Sequence, residues 1–402
     1  MTFLLALLLL AGVSPQPERL ADSGRVRLEV LSLLEPQTVV VRPRDSTIAL
    51  PDGGSLAVGR RLVVTRERGT IVARTDDGWH WRGSRLDLGG ADRTLDLDVQ
   101  GRSRRVRAVR GALTIALASD ARTLEIVVDT ELEDLVASAV AAEIASSTAP
   151  AALEAAAIAV RSYVIAHRGR HAAEGFDVCD NTHCLFSQGL ADLQLASSRA
   201  ALAAANATRG RVLVRDGRVV AGYFTACCGG RTATPAEIWG GDDAGDYDAV
   251  PCTSCRTSRF YRWTRWASAG SIEAALEPLA GRVGADAAFD VAAGDGGWVR
   301  RVVIRSGGRS TTLGGDAFRM AVERRIGWNS IPSPRFTIER VRDRLRFTGG
   351  GFGHGIGLCM AGAIERARLG ATCDELLSAY FPRTRTALLE NSRYGTVTSL
   401  PV

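Results

Sequence analysis

The sequence predicts an α+β fold: a mixed domain with a buried central helix and antiparallel strands, preceded by a β-rich N-terminal segment. Two observations indicate this fold. Apolar residues alternate with a period of about two up to residue 128, and they follow a helical period of about 3.6 from Glu131 onward. Residues 149–166 then form a helical pattern whose polar side chains are Glu154, Arg161 and Ser162, as expected for a helix inside a domain.

The N-terminal segment consists of short apolar or alternating runs. Between Arg25 and Val128, runs such as RVRLEVLSL, QTVVVRP and RLVVT are separated by Gly, Asp, Pro and Ser, which is typical of short strands joined by turns. The Arg-rich run at 101–110 is most simply a solvated strand and turn. We therefore predict a β-rich domain at 17–122, a larger domain at 123–392 and a C-terminal tail at 393–402.

The first residues are typical of an export signal. The run MTFLLALLLLAGVS is apolar for roughly a dozen residues, shorter than the ~20 that a membrane-spanning helix needs. We expect a signal peptide at 1–16 and export to the periplasm or cell envelope. All eight Cys residues lie at or after Cys179, and disulfides are favoured in an oxidising compartment.

Composition argues against nucleic acid and nucleotide as partners. The 50 basic residues are all Arg, and a chain without Lys indicates a bias of the genome more than a selected binding surface. The glycines at 349–357 fit G-x-G-x-x-G in no frame, and a P-loop needs Lys. The net charge of +6 favours contact with anionic material such as a bacterial wall, as a weak field effect.

The pattern places several further elements in the larger domain. Asp216-Gly217 is typical of a hairpin turn between two strands. Helices are predicted near 132–144, 151–167, 197–207, 271–281, 315–326, 357–369 and 373–380, and strands near 298–305 and 344–348.

One carboxylate lies in an apolar stripe. Glu143 follows Val140 by three residues and Ala139 by four, so it projects from the apolar side of the first helix. Burial disfavours the charged carboxylate and raises its pKa, which a general acid near neutral pH requires. The alternative is that Glu143, on the last turn, bends out to water.

Arg161 is a cation on the predicted buried helix. A guanidinium inside a domain needs a carboxylate partner or a ligand anion. Glu154 and Glu143 are the candidate partners, and a purely structural pair is the alternative to a ligand site.

Two cysteine-rich stretches suggest metal binding or disulfides. In CDNTHC, Cys179, His183 and Cys184 could hold zinc, although disulfide pairing competes with it and a fourth ligand is not apparent. In the second stretch, a disulfide of Cys228 with Cys252 or Cys255 would close a surface loop.

The stretch GGGFGHGIGLCMAGA holds His354 among glycines. A strand should pass through this turn into a helix beginning near Ile356, which would place the imidazole beside a helix N-terminus and free backbone N–H groups. The alternative is a tight turn whose glycines serve packing.

Four segments in this order resemble the SpoIID/LytB family of stage II sporulation protein D and amidase enhancers of bacterial cell walls. They are AAEIASSTAPAALEAAAIAVRSY, CDNTHCLFSQG, YFTACCGGRTATPAEIWGG with VPCTSC, and GFGHGIGLCMAGAIERARLG leading to LLSAYFPRT. The resemblance covers about residues 124–389. It implies a lytic transglycosylase, a lyase that cleaves peptidoglycan glycan strands between N-acetylmuramic acid and N-acetylglucosamine and leaves 1,6-anhydro ends.

The resemblance also implies roles for individual residues. Glu143 in AAEIAS is similar to the family's catalytic glutamate, acting as acid and then as base, and no cofactor is required. Cys179 and His183 are similar to residues that bind zinc in some members, for which a structural role is implied. The implied substrate-binding positions are Arg161 and Tyr163 in AVRSY, Tyr223, Gly229 and Gly230 of the Gly-Gly turn, and Gly353, His354 and Gly355.

The chain departs from the family pattern at Leu185, Ser187, Thr225 and Met360, where polar or aromatic groove residues are usual. Two alternatives to the transglycosylase stay open. One is a non-catalytic wall-binding protein that stimulates a cell-wall amidase, as the family's second name suggests. The other is a zinc-dependent hydrolase centred on His183.

Overall fold

The mixed α+β architecture predicted from the sequence is confirmed by a computed structural model of the chain. It describes residues 24–90, 93–145, 148–189, 195–241, 245–284 and 286–389, together with the backbone of 397–399. The predicted signal peptide lies outside the described residues. No described helix is both long enough and apolar enough to span a membrane.

The N-terminal half contains two large, mainly antiparallel sheets that pack around one core, and a short antiparallel pair of β3 with β4. One has the strand order β10-β9-β2-β5-β6-β7, and β1, β12, β11 and β8 pair side by side in the other. Alternate residues such as Val39 and Val41 of β2 are fully buried, as strand periodicity requires. The strands are β1 Arg25–Glu29, β2 Thr38–Pro43, β3 Ile48–Ala49, β4 Ser55–Leu56, β5 Leu62–Glu67, β6 Thr70–Thr75, β7 His80–Gly83, β8 Arg85–Leu88, β9 Thr94–Gln100, β10 Arg104–Arg110, β11 Ala112–Leu117 and β12 Leu124–Glu131.

The N-terminal sheets and the following helices share a continuous hydrophobic core. The predicted boundary at 122/123 falls between β11 and β12, which pair along their whole length from Ala112↔Asp129 to Leu117↔Leu124. The same core includes Leu135, Val136 and most of the next helix. The division into domains at this point stays a prediction.

The central helix is buried as predicted. Residues 155–160 of α2 are all inaccessible to solvent, and Pro150 occupies its first turn, where a missing N–H costs nothing. The predicted hairpin is present at Asp216-Gly217, both with positive φ. The elements are α1 Leu132–Glu143, α2 Pro150–Ala166, β13 Val178–Cys179, α3 Ala196–Ala207, β14 Arg211–Arg215, β15 Arg218–Val219, β16 Phe224–Thr225 and α4 Pro235–Trp239.

A separate unit, here called the inserted unit, occupies residues 263–349. It has its own core, which includes Trp263, Leu276, Phe318 and Phe347. Its two three-stranded sheets have the orders β17-β22-β21 and β18-β19-β20. The elements are β17 Trp263–Ser268, α5 Ala269–Ala280, β18 Ala288–Ala293, β19 Val299–Ser306, β20 Arg309–Gly314, α6 Gly315–Ile326, β21 Phe336–Val341 and β22 Arg344–Gly349.

After the inserted unit the chain returns to the first core through the glycine turn, residues 349–357. The helix expected to begin near Ile356 begins only at Met360, because Leu358 and Cys359 first pair in parallel with Phe224 and Thr225. His354 therefore does not lie at a helix N-terminus. The remaining elements are β23 Leu358–Cys359, α7 Met360–Arg368, α8 Cys373–Tyr380, β24 Arg385–Leu389 and β25 Val397–Ser399.

Candidate functional site

Glu143 is the last residue of α1, and its side chain is partly buried. Burial raises the pKa of this carboxyl above its ordinary value. Among the described residues it has no hydrogen-bond or ion-pair partner that would hold it ionised. The structure therefore agrees with the predicted desolvation, and the catalytic role of Glu143 stays a prediction.

Arg161 is fully buried and structural. Its guanidinium pairs with Glu133 on α1, with Nε 2.9 Å from Oε1 and Nη2 2.5 Å from Oε2. It also donates to the carbonyls of Ala205 and Arg211. The prediction that Glu154 or Glu143 would be its partner was wrong. Because Arg161 has no exposed surface, it cannot contact a glycan in this structure.

The rings of Tyr163, Tyr223 and His354 belong to one group, in which Tyr223 contacts both of the others. The Tyr223 ring lies 5.5 Å from that of Tyr163 and 5.9 Å from that of His354. Trp239, whose side chain is 48% exposed, lies 5.5 Å from His354 and gives the group an open edge. We call these rings the aromatic cluster: Tyr163, His167, Tyr223, Trp239, Tyr247 and His354.

His354 is held as a neutral imidazole. Burial lowers its pKa to about 4, and its Nδ1 accepts a hydrogen bond from the N–H of Ile356 at 3.0 Å. Because Nδ1 is an acceptor, the proton of the neutral ring is on Nε2. His354 thus carries no charge at neutral pH, and its remaining ring N–H interacts with the backbone of Phe224.

The glycines of this region are explained by protein packing. A Cβ on Gly355 would lie 2.1 Å from the Trp298 ring, and a Cβ on Gly353 would lie 2.6 Å from Thr225 Oγ1. A Cβ on Gly229 would meet the backbone of Gly350 at 2.7 Å. Packing therefore accounts for glycine at these positions, and their implied substrate-binding role stays a prediction.

Gly230 belongs to the same contact. It has φ +117, and a Cβ there would lie 3.2 Å from the hydroxyl of Tyr261. The Gly229-Gly230 turn and the glycine turn thus pack against neighbouring protein atoms, as the packing alternative predicts.

Cys179 and His183 lie close to two further potential zinc ligands, Cys184 and His171. The sulfur of Cys179 lies 3.7 Å from His183 Nδ1, and that of Cys184 lies 3.4 Å from His171 Nε2. The ligand atoms of all four residues lie within 4.8 Å of one another, and Cys₂His₂ is a common zinc donor set. His171 is the fourth ligand that the spacing in CDNTHC did not show.

The two thiols of this group affect each other's ionisation: their hydrogen bond lowers the pKa of Cys184 and raises that of Cys179. A hydrogen bond from Cys179 lowers the pKa of the Cys184 thiol to about 4, so a thiolate is available near neutral pH. Burial alone would lower the pKa of His171, but its contacts with Cys184 and Glu174 raise it. The donor set and the spacing of its ligand atoms fit a structural zinc ion.

No sulfur–sulfur bond joins the eight cysteines, all of which lie in the described residues. Cys228 does lie beside Cys255, as the disulfide hypothesis required, but at 3.7 Å between the sulfur atoms. A disulfide bond is about 2.05 Å long. The stapled loop thus stays a prediction for the oxidised protein.

The four positions that depart from the family pattern all face the interior. Ser187 Oγ lies 2.7 Å from Ser138 Oγ, and Thr225 donates to the carbonyl of Phe352 at 2.8 Å. Leu185 and Met360 are buried at 2% and 3% exposure. Leu185, Thr225 and Met360 therefore affect packing, whereas Ser187 with Ser138 also lines a pocket.

The structure unites some predicted site residues and leaves others apart. Among the described residues, Glu143 shares no hydrogen bond, ion pair or ring contact with the aromatic cluster. The sequence analysis missed His167, which comes directly after the end of α2, four residues after Tyr163, and whose ring lies 4.2 Å from that of Tyr163. Trp239 and Tyr247 gave no comparable signal.

Comparison with known proteins agrees with the predicted family. Residues 120–214, which include Glu143, match the SpoIID family model, described as stage II sporulation protein, and this part of the chain belongs to that family. Residues 252–357 match a domain of unknown function (DUF8618), which contains the inserted unit. An uncharacterized protein of Brachyspira hyodysenteriae is 27% identical over 268 residues, or 64% of this chain and 67% of that protein. The SpoIID match indicates a role connected with the cell wall.

Proposed function

We propose that the protein is a lytic transglycosylase that cleaves peptidoglycan glycan strands, with Glu143 as its general acid and base. The observation that carries the proposal is the carboxyl of Glu143: it lies within the SpoIID match, is desolvated, and has no cationic partner among the described residues. A carboxyl in that environment is protonated at higher pH than an ordinary glutamate, as a general acid must be.

The chemistry requires one carboxyl. Protonated Glu143 gives its proton to the glycosidic oxygen as the C1–O bond breaks. The carboxylate then takes the proton of the sugar's own 6-hydroxyl while that oxygen bonds to C1. The product is a 1,6-anhydro end, and no water is consumed. Hydrolytic glycosidases need a second carboxyl because they activate water or form a covalent intermediate.

The aromatic cluster is proposed as a glycan-contacting wall. Exposed Trp239 and the partly buried Tyr223 offer apolar ring faces with polar edges, which suits sugars that have both apolar and hydroxyl surfaces. His354 would support this wall through its ring contacts with Tyr223 and Trp239. The Cys₂His₂ group would hold a structural zinc ion that fixes the segment after α2.

The proposed setting is outside the cytoplasm, because the substrate is there and the N-terminal residues are typical of an export signal. A cell-wall amidase that removes stem peptides would supply denuded glycan strands to this enzyme.

The test uses the full mature chain and its Glu143→Gln variant on amidase-treated glycan strands, with products analysed by mass spectrometry. We expect 1,6-anhydro ends from the wild type and a loss of at least about 100-fold in the variant. Glu154→Gln, on the next helix, is the matched control and should keep full activity.

Other outcomes separate the competing functions. Reducing ends with incorporated water, lost on chelation, would support a zinc hydrolase. If no ends of either kind form while turnover of an added amidase rises, the protein is a non-catalytic stimulator and the transglycosylase proposal is wrong.

A further inference from the structure

A second cysteine cluster lies at the base of the inserted unit. Cys228, Cys252, Cys255 and Cys359 are all buried, and their sulfur atoms lie within 4.8 Å of one another. They come from three chain segments: Cys228 follows β16, Cys252 and Cys255 precede the inserted unit, and Cys359 follows the glycine turn. The geometry points to a structural zinc site formed by these four thiolates, and we propose that it joins both ends of the inserted unit to the segment that follows β16.

The spacing of the sulfur atoms suits tetrahedral zinc. With Zn–S bonds of about 2.3 Å, a tetrahedron places its sulfur atoms about 3.8 Å apart. Cys228 and Cys255 are separated by 3.7 Å. Cys252-x-x-Cys255 is also a common ligand spacing in structural zinc sites.

The surroundings of the cluster supply contacts that zinc-bound thiolates need. The N–H of Cys228 donates to the sulfur of Cys359 at 3.3 Å, and the hydroxyl of Tyr380 lies 3.2 Å from the sulfur of Cys252. A Cβ on Gly362 would lie 2.5 Å from that same sulfur, so glycine is needed there. Outer contacts of this kind orient ligands and stabilise their charge.

Nearby cations can balance the charge of the site. Zinc displaces the four thiol protons, and the resulting tetrathiolate carries excess negative charge. Arg335 and Arg262 both donate to the carbonyl of Gly229, at 2.6 and 2.8 Å, directly after Cys228 in the chain. Two guanidinium groups thus lie beside the proposed site.

The site would have a clear structural effect. The glycine turn and His354 lie between the inserted unit and Cys359, so fixing Cys359 to Cys228 and Cys252 fixes one end of that turn. Zinc binding to a folded cluster adds directly to folding free energy. This inference does not depend on the transglycosylase activity, because a wall-binding protein would need the same support.

The first test follows the unaltered chain. The full chain is purified with and without zinc, its cysteines are alkylated before and after chelation, and the modified peptides are identified. We expect Cys228, Cys252, Cys255 and Cys359 to be protected until chelator is added. Buried Cys373, which lies outside both clusters, should react equally under both conditions. Cobalt in place of zinc should give the charge-transfer absorption of a tetrathiolate in addition to that of a Cys₂His₂ site.

The second test counts metal. Cys255→Ser should lower the zinc content by about one ion per chain relative to Cys373→Ser. The proposal is wrong if the four cysteines are alkylated equally with and without chelator. It is also wrong if peptides joined by disulfide bonds between these cysteines are found. Both of these results are measured on the wild-type protein, so they do not depend on whether a variant folds.

Discussion

At the scale of single residues, Glu143 shows how burial of one carboxyl couples stability to pH. Burial raises its folded-state pKa above the ordinary value, so the folded chain binds the proton more tightly than the unfolded chain. The stabilising contribution is complete below the unfolded pKa and is lost as pH rises through the folded one. We therefore expect Glu143→Gln to raise the thermal midpoint by about 1–4 °C near pH 7 and to have no effect near pH 4. Equal midpoints at both pH values would mean that the carboxyl is hydrated.

Arg161 gives a second prediction at this scale. Replacing one partner of a buried ion pair leaves the other charged and unpaired, so Arg161→Met should lower the free energy of unfolding by about 3–5 kcal/mol. Adding Glu133→Leu should restore most of that loss, as chemical denaturation would show. Arg61→Met, in an exposed pair with Asp76, is the control and should cost less than about 1 kcal/mol. A stable Arg161→Met protein with weakened glycan binding would instead return Arg161 to the substrate site.

At the scale of elements, a side chain added at a glycine can cost free energy through backbone strain and through a steric clash. Gly355 of the glycine turn and Gly370, which lies after α7, allow these two costs to be measured separately. Gly355 has φ +82 and faces the Trp298 ring, whereas Gly370 has φ +98 and nothing within 4 Å of a Cβ. Gly370→Ala should therefore cost only backbone strain, about 1 kcal/mol, and Gly355→Ala should cost clearly more because the ring must also move. Thermal denaturation of the two variants checks this. Equal losses would mean that Trp298 adapts freely.

Elements with a strong periodic pattern were predictable from the sequence, and those without it were not. The helices predicted near 197–207 and 315–326 are Ala196–Ala207 and Gly315–Ile326, because long amphipathic patterns determine helices locally. The strand Arg309–Gly314 was missed, since none of its side chains is fully buried. The site residues followed the same rule. His171 lies eight residues before Cys179, and only a turn closed by its bridge with Phe176 brings it back to the cluster.

At the scale of the whole molecule, two contacts of the inserted unit position the aromatic cluster. Trp298 packs with Ala233, Ile238 and Ile356, which lie outside that unit, in a small separate core. Asp316 of α6 accepts a hydrogen bond from the indole N–H of Trp239 at 3.1 Å. The inserted unit therefore supports the side of the cluster on which a glycan would lie.

Trp298 is the residue through which that support can be measured. Its side chain is fully buried, and its indole N–H has no hydrogen-bond partner in the described residues. Trp298→Ala should lower the free energy of unfolding by about 3–5 kcal/mol by leaving a cavity. It should also expose the glycine turn to limited proteolysis. Trp298→Phe keeps an aromatic ring and removes the unpaired N–H, so it should cost less than half as much. Trp266→Ala, a 43% exposed residue of the same unit, should leave the cleavage pattern unchanged. If Trp298→Ala also leaves the turn protected, packing by Trp298 does not hold it, and the pairing of β16 with β23 is the remaining support.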